Sequence, residues 1–265
     1  MGLMIVASCG GKNSYYPRPV GNLTQLDERE ISRRIYEMVN RERQKKKTPR
    51  LRYSTELAFV ARHHSENMLK GNYMGHGDHL GRGPSRRVTE LKPEIFGGIG
   101  ENVALNFGQS NEDVARRIMT AWMNSPGHRR NILRKKYTHI GAGIAFRKAG
   151  RGGYQYYRVL GTQVFGDLYG RLLTRLPSRL KGGSIAVRVQ YLGKKQNPSL
   201  MFRVLCSPVR KAGKRIWRVF SRTRLHMKEK EYAGLLRFPG RPDRCRLILA
   251  ENGKYYVRGP EFIIR

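Results

Sequence analysis

The stretch WMNSPGHRRNIL, residues 122–133, sets His128 directly after a Ser-Pro-Gly break and directly before two arginines. Pro126 disfavours helical geometry at Ser125, so a helix running up to Asn124 must stop there. The same residues open a new helix, with Ser125 suited to the N-cap and Pro126 to the first helical position. His128 then falls in the first turn, on the side of Ile132. The positive end of the helix dipole, with Arg129 and Arg130 alongside, disfavours imidazolium there and favours the neutral ring, which accepts a hydrogen bond or ligates a metal. Ser125 and His128 as nucleophile and base is the weaker reading. The N-cap role already accounts for the serine, and the sequence supplies no orienting acid or oxyanion hole.

The three cysteines offer a second kind of chemistry. Residues 3–7 form a short apolar run that ends in small residues before Cys9, and Gly10-Gly11 follows as a tether. Val6-Ala7-Ser8-Cys9 resembles the bacterial lipoprotein box, in which the cysteine is lipidated and becomes the new N-terminus. It departs from that pattern in having no Lys or Arg ahead of an unusually short run. With Cys9 given to lipid, Cys206 and Cys245 remain, either paired in an oxidising envelope or left as buried thiols.

The elements that must position these groups fall into two stretches. Ile31, Ile35, Met38 and Val39 make one helical stripe, and Leu57, Val60, Ala61, His64 and Met68 make a second that Gly71 is placed to stop. His64 lies on that stripe and reads as a core histidine. The glycine-rich GNYMGHGDHLGRGPSRR reads as an ordered loop. Ser110 starts a third helix whose buried side is Val114, Ile118 and Trp122. The signal is helical to about residue 137, after which the period changes to two and residues 138–165 read as an antiparallel hairpin turning at KAGRGG.

Beyond residue 168 the runs SIAVRVQYLG, LMFRVLC, IWRVFSR, RCRLILA and KYYVRGPEFIIR predict a small all-β sandwich. The order Cys206, Trp217, Cys245 suggests an immunoglobulin-like version of it, although the cysteines are closer together than that fold places them. The expected organisation is an export segment and tether over 1–21, a layered helix-and-sheet domain over 22–167, and a β-sandwich over 168–265. The class is α+β.

Charge bounds the partners. Lys and Arg number 53 against 19 Asp and Glu, a formal net charge of +34. Such a field draws polyanions: nucleic acid, acidic lipid head groups or anionic cell-wall polymer. No nucleic-acid recognition motif accompanies it, so nucleic acid rests on charge alone. No stretch approaches the roughly 18 apolar residues of a membrane span.

An ordered series of short motifs runs through the first domain: MVNRER at 38–43, ELAFVARHHSENM at 56–68, MGH at 74–76, GENVA at 100–104, WMNSPGHRRNIL, THIGAG at 138–143 and GTQVF at 161–165. In this order and spacing they resemble the CAP superfamily of cysteine-rich secretory, antigen 5 and pathogenesis-related proteins, in its bacterial form. The resemblance implies an α-β-α sandwich with a cleft lined by two histidines and two acids. By position these are His76, His128 and Glu101. The second acid should follow the helix tryptophan by three residues, where this chain has Ser125.

The resemblance leaves three readings of His76, Glu101 and His128 open. They form a minimal site for Zn2+ or another divalent metal, a scaffold in which Glu101 accepts from both imidazoles, or a polar cleft floor that recognises a ligand. Family members have been linked to lipid or sterol binding and to proteolysis. The expected function is that of an exported, membrane-anchored envelope protein that binds anionic polymers or lipid head groups, with a small lipid as a candidate cleft ligand. A metal-dependent hydrolase of peptide or cell-wall substrate is the rival, and non-specific nucleic-acid binding the third reading.

Overall fold

The computed structural model describes residues 23–151, 154–177, 179–180, 182–208, 217–228, 231–240, 243–253 and 255–264. Cys9 and the whole 1–21 segment lie outside them, as do Gly152 and Gly153 of the expected KAGRGG turn. The chain divides into two compact units. Unit 1 takes residues 1–81, 101–136 and 140–165, and unit 2 takes 82–100, 137–139 and 166–265.

Unit 1 begins with α1 (Glu28–Lys45). The Asp27 carboxylate caps it, accepting from the amides of Arg29 and Glu30 at 2.7 and 3.2 Å, and Glu28 and Glu30 add negative charge to the first turn. Its stripe of Ile31, Ile35 and Val39 is fully buried. After β1 (Arg52–Tyr53), Ser54 caps α2 (Thr55–Gly71) by accepting from Leu57 N at 3.2 Å, and Asn72 ends it in the left-handed conformation at φ 54°.

Sequence patterning extends the helical region to residue 137, but a 14-residue strand, β2 (Ile95–Gly108), lies inside it and carries Glu101. The expected third and fourth helices follow as α4 (Asn111–Asn124) and α5 (Pro126–Leu133). The hairpin strands are β3 (His139–Arg151) and β4 (Tyr154–Leu172); the sheet order here is β1-β3-β4, and β2 pairs with β4.

Two glycines of THIGAG explain how a helix lies on this sheet. A Cβ on Gly141 would meet Ala58 N at 2.0 Å, and one on Gly143 would meet Arg62 N at 2.0 Å, so the α2 backbone rests directly on β3. Ser65 in α2 ties down the same face, donating to Gly143 O at 2.9 Å. Successive strand residues face opposite ways, and on the other face Ile144 meets Ile118 of α4 around Gly161. Helices therefore cover both faces of the sheet, an α-β-α sandwich.

Unit 2 contains α3 (Pro84–Leu91), which starts inside the glycine-rich stretch that the sequence marks as loop. Pro84 at its first position, after Gly83, makes that start possible. The rest is β structure: β5 (Arg179–Leu180), β6 (Gly183–Tyr191), β7 (Leu200–Pro208), β8 (Arg218–Arg224), β9 (His226–Lys228), β10 (Glu231–Phe238), β11 (Asp243–Glu251) and β12 (Tyr255–Ile264). One five-stranded sheet runs β5-β12-β11-β7-β8, antiparallel except for β5 beside β12. In the other, the end of β4 (Gly170–Leu172) pairs with β6, then β10, then β9.

Val187, Val189 and Leu236 from this second set share one core with Phe202, Leu247 and Phe262 from the first. That is a two-layer sandwich. The hydroxyls of Ser221 and Thr223 in β8 donate to Arg237 O and Leu235 O in β10, both at 2.8 Å, and close one side.

Cys206 and Cys245 form a disulfide between directly paired positions of β7 and β11. It links neighbours within one sheet, and Trp217 stacks on Arg246, its ring centroid 4.1 Å from the guanidinium carbon. Immunoglobulin packing instead bridges two sheets across a buried tryptophan, so the immunoglobulin comparison stops at the order of the three residues. No described helix is long and apolar enough to cross a membrane.

Candidate functional site

His76, Glu101, Ser125 and His128 line one cavity in unit 1, of about 640 Å³, together with Gly127, Arg130, Asn131 and Arg134. Four elements bring them there. β2 supplies Glu101, the loop after α2 supplies His76, the α4–α5 junction supplies Ser125, and α5 with its C-cap Arg134 supplies the remainder.

Glu101 is the buried centre. Its Oε1 lies 2.9 Å from His76 Nδ1, and His64 Nε2 comes within 4.0 Å of the same oxygen. The carboxylate thus stands between His76 and His64, which corrects the expectation that it joins His76 to His128. His64 is a core residue of α2 with no exposure, as its place on the apolar stripe suggests. It also positions the site, because its Nε2 donates to Gly75 O at 2.8 Å and so fixes the loop one residue before His76. That second role has no signal in the helical pattern.

His128 is held through its backbone. Asn102, fully buried, donates from Nδ2 to His128 O at 3.2 Å and to Gln163 Oε1 at 3.0 Å. Asn131 Nδ2 donates to Asn102 Oδ1 at 3.0 Å and to Glu101 O at 3.1 Å. Trp122 Nε1 donates to Val103 O at 3.1 Å, so α4 is tied to the strand two residues past Glu101. Asn102 and Asn131 sit inside GENVA and RRNIL, and no feature of the linear sequence singles either out.

From the far side Arg43 of α1, fully buried, donates to Ile132 O at 2.7 Å, Arg134 O at 3.1 Å and Pro49 O at 2.7 Å. A cation on the last carbonyls of α5 favours its dipole and fixes the end of the helix. Burial pulls the Arg43 guanidinium down to about 10.

Burial, and then the nearby His76, hold the His128 imidazole below its usual pKa. The ring is neutral near pH 7, the state read from the helix N-terminus, and burial leads the causes. Ser125 is the N-cap of α5 by backbone geometry, but its hydroxyl makes no capping hydrogen bond, and the residue lines the cavity. The capping role assigned to its side chain is corrected accordingly.

The metal reading does not fit this arrangement. Among the described residues no group of three His, Cys, Asp or Glu side chains is placed to hold one metal ion, and Glu101 already binds His76 Nδ1. Arg130 and Arg134 on the wall give the cavity two fixed positive charges against the one carboxylate.

A helix-covered sheet with a histidine-and-carboxylate cleft at the start of a short helix is the CAP class of domain. Residues 36–162 match the model of the CAP family, described as the cysteine-rich secretory protein family, and the chain carries a domain of that family. It is similar to YkwD of Bacillus subtilis (strain 168), an uncharacterised protein, with 32% identity over 111 residues, 42% of this chain and 41% of YkwD. It is also similar to YlbC of the same strain, an uncharacterised membrane protein, with 31% identity over 42% of this chain and 31% of YlbC. The matches thus span less than half the length of these relatives.

Among solved structures, an extracellular protein containing an SCP domain from Bacillus anthracis str. Ames is 29% identical, over 52% of this chain and 41% of its own, with a TM-score of 0.42. An outer surface protein of Borrelia burgdorferi is 18% identical, over 53% of this chain and 94% of its own, with a TM-score of 0.42.

Proposed function

We propose that this is an exported binding module of the cell envelope whose CAP cleft holds the anionic group of a small ligand, such as the head group of a lipid. The observation that carries the reading is the composition of the cavity. Two histidines, a serine whose hydroxyl is not used in capping and two arginines line a space in the usual range for small molecules, and the one carboxylate is engaged by His76. Guanidinium groups bind phosphate or carboxylate through paired hydrogen bonds, and a neutral His128 at the first turn of α5 adds a polar contact at a helix end that favours anions.

Export is supported by the Cys206–Cys245 disulfide, a bond typical of oxidising compartments. Lipid on Cys9 would hold the protein at the membrane, and the intact mass of the mature N-terminus tests that. The net charge of +34 concentrates anionic envelope material around the whole molecule.

The test is calorimetric titration at pH 7 with inorganic phosphate and with a short-chain phosphatidic acid. The double variant Arg130→Gln/Arg134→Gln and His128→Ala should each weaken binding at least about tenfold. Binding that survives both variants, or no binding of either probe, overturns the reading. A parallel zinc titration that shows one equivalent bound and lost in His128→Ala would replace it with a metal centre.

A further inference from the structure

The outer face of the five-stranded sheet in unit 2 is patterned, and the strand registers fix the pattern. Phe202, Val204 and Cys206 in β7, and Cys245, Leu247 and Leu249 in β11, point inward and are buried in the core of the unit. The residues between them therefore face outward. Leu205 of β7 pairs with Arg246 of β11 on one side and Val219 of β8 on the other. Arg203 pairs with Ile248 and with Arg222 in the same way. Arg244 of β11 pairs with Ile263 of β12. Apolar side chains and arginines are thus interspersed across four strands.

The side chains that face solvent most openly repeat this mixture. Val219 is 41% exposed and Ile263 38%, and Arg222 and Arg224 are exposed. Phe220, left over where the β7–β8 register shifts, is 46% exposed. Glu261 is an acid on this face, and it binds Arg246 and Arg244. The Trp217 ring against Arg246 keeps that guanidinium in place.

The outer face of an antiparallel sheet bathed in water is ordinarily polar. A polyanion in solution would call for the arginines and leave the valine, isoleucines and phenylalanine without a partner. The surface of an acidic bilayer offers phosphates for the one set and the edge of the hydrocarbon for the other.

We propose that the outer face of the β5-β12-β11-β7-β8 sheet is a docking surface for an anionic lipid bilayer, with Arg222 and Arg224 on head-group phosphates and Val219, Phe220 and Ile263 at the acyl boundary. The proposal is independent of the cleft and of its ligand.

The test uses the full chain carrying Cys9→Ser, so that no lipid on that cysteine contributes. Co-sedimentation is measured with vesicles of phosphatidylglycerol and phosphatidylcholine in equal parts, and with phosphatidylcholine alone. The protein should bind the mixed vesicles and not the neutral ones. Arg222→Glu/Arg224→Glu should lower the partition coefficient at least about thirtyfold, and Val219→Asp/Phe220→Ser at least about fivefold. A charge-matched change on the exposed surface of unit 1, Lys46→Glu/Arg50→Glu, should lower it no more than about threefold. Thermal melting checks that each variant is folded.

Absence of binding to the mixed vesicles overturns the proposal. So does an equal loss in the unit 1 variant, which would make the attraction a property of net charge. Unchanged binding in Val219→Asp/Phe220→Ser, with poly-glutamate competing fully, would make the face a site for soluble polyanions instead. Phosphate binding in the cleft is read separately by calorimetry, so failure of one reading leaves the other standing.

Discussion

The two units treat arginine in opposite ways. In unit 1 Arg43 is buried, and its guanidinium is spent on three backbone carbonyls that hold α1 against the end of α5. In unit 2 arginines stand on the outer face of a sheet, paired across strands with apolar side chains. A buried guanidinium has to be matched by local acceptors, because desolvation is costly, and so it acts as a structural tie. On a surface the same group keeps its hydration and remains open to a partner's phosphate. One residue type thus builds the frame of one unit and the proposed docking surface of the other, and net charge alone distinguishes neither use.

The largest effect that sharpens this contrast is expected at the disulfide. Cys206 and Cys245 are 39 residues apart, and Cys206→Ala should destabilise unit 2 by about 4 kcal/mol by the loop-entropy relation. Chemical denaturation under oxidising conditions measures it. Partition onto acidic vesicles should fall with it while calorimetric phosphate binding changes less, and the reverse order would tie the outer face to unit 1 instead.

Gly143→Ala comes next, at about 3 kcal/mol, because the new methyl group would sit on the α2 backbone. An unchanged denaturation midpoint would show that α2 does not bear on β3 there. The smallest effect is the titration of His128. Its pKa is lowered on folding, so between that folded value and the ordinary 6.5 the unfolded chain binds more protons. Stability then rises with pH across that window and is lost as pH falls through it. His128→Asn should flatten this slope by at most one proton, as seen in the pH dependence of the denaturation midpoint.

The helices are legible where an apolar stripe and a cap coincide, as with Ile31, Ile35 and Val39 behind Asp27, or Val114, Ile118 and Trp122 behind Ser110. β2 is not, because Gly97, Gly98 and Gly100 interrupt its alternation of Ile95, Ile99 and Val103. α3 is hidden by the glycines before it, although Pro84 marks its start as Pro126 marks that of α5. β10 escapes the pattern because Ala233 and Gly234 dilute the run that buries Tyr232, Leu236 and Phe238.

At the site, the motifs point to residues that share a cavity, yet neither the second role of His64 nor the Asn102–Asn131 bridge is visible in a linear pattern. Both depend on which strand lies behind which helix. The outer face of unit 2 is illegible in the sequence for the same reason. Its arginines are separated by whole strands, and only pairing register makes them neighbours.

Ser125 begins α5 with its main chain alone, and no part of that turn relies on its side chain. The rim of the cleft therefore contains a position that is electrically adjustable and mechanically idle. An acidic side chain there would set a second negative charge against Arg130 and Arg134 and offset the positive charge of the wall, with the helix cap behind it unaltered. On the proposed reading of the cleft, the sign of its guest would be set at a single amino acid whose side chain caps no helix.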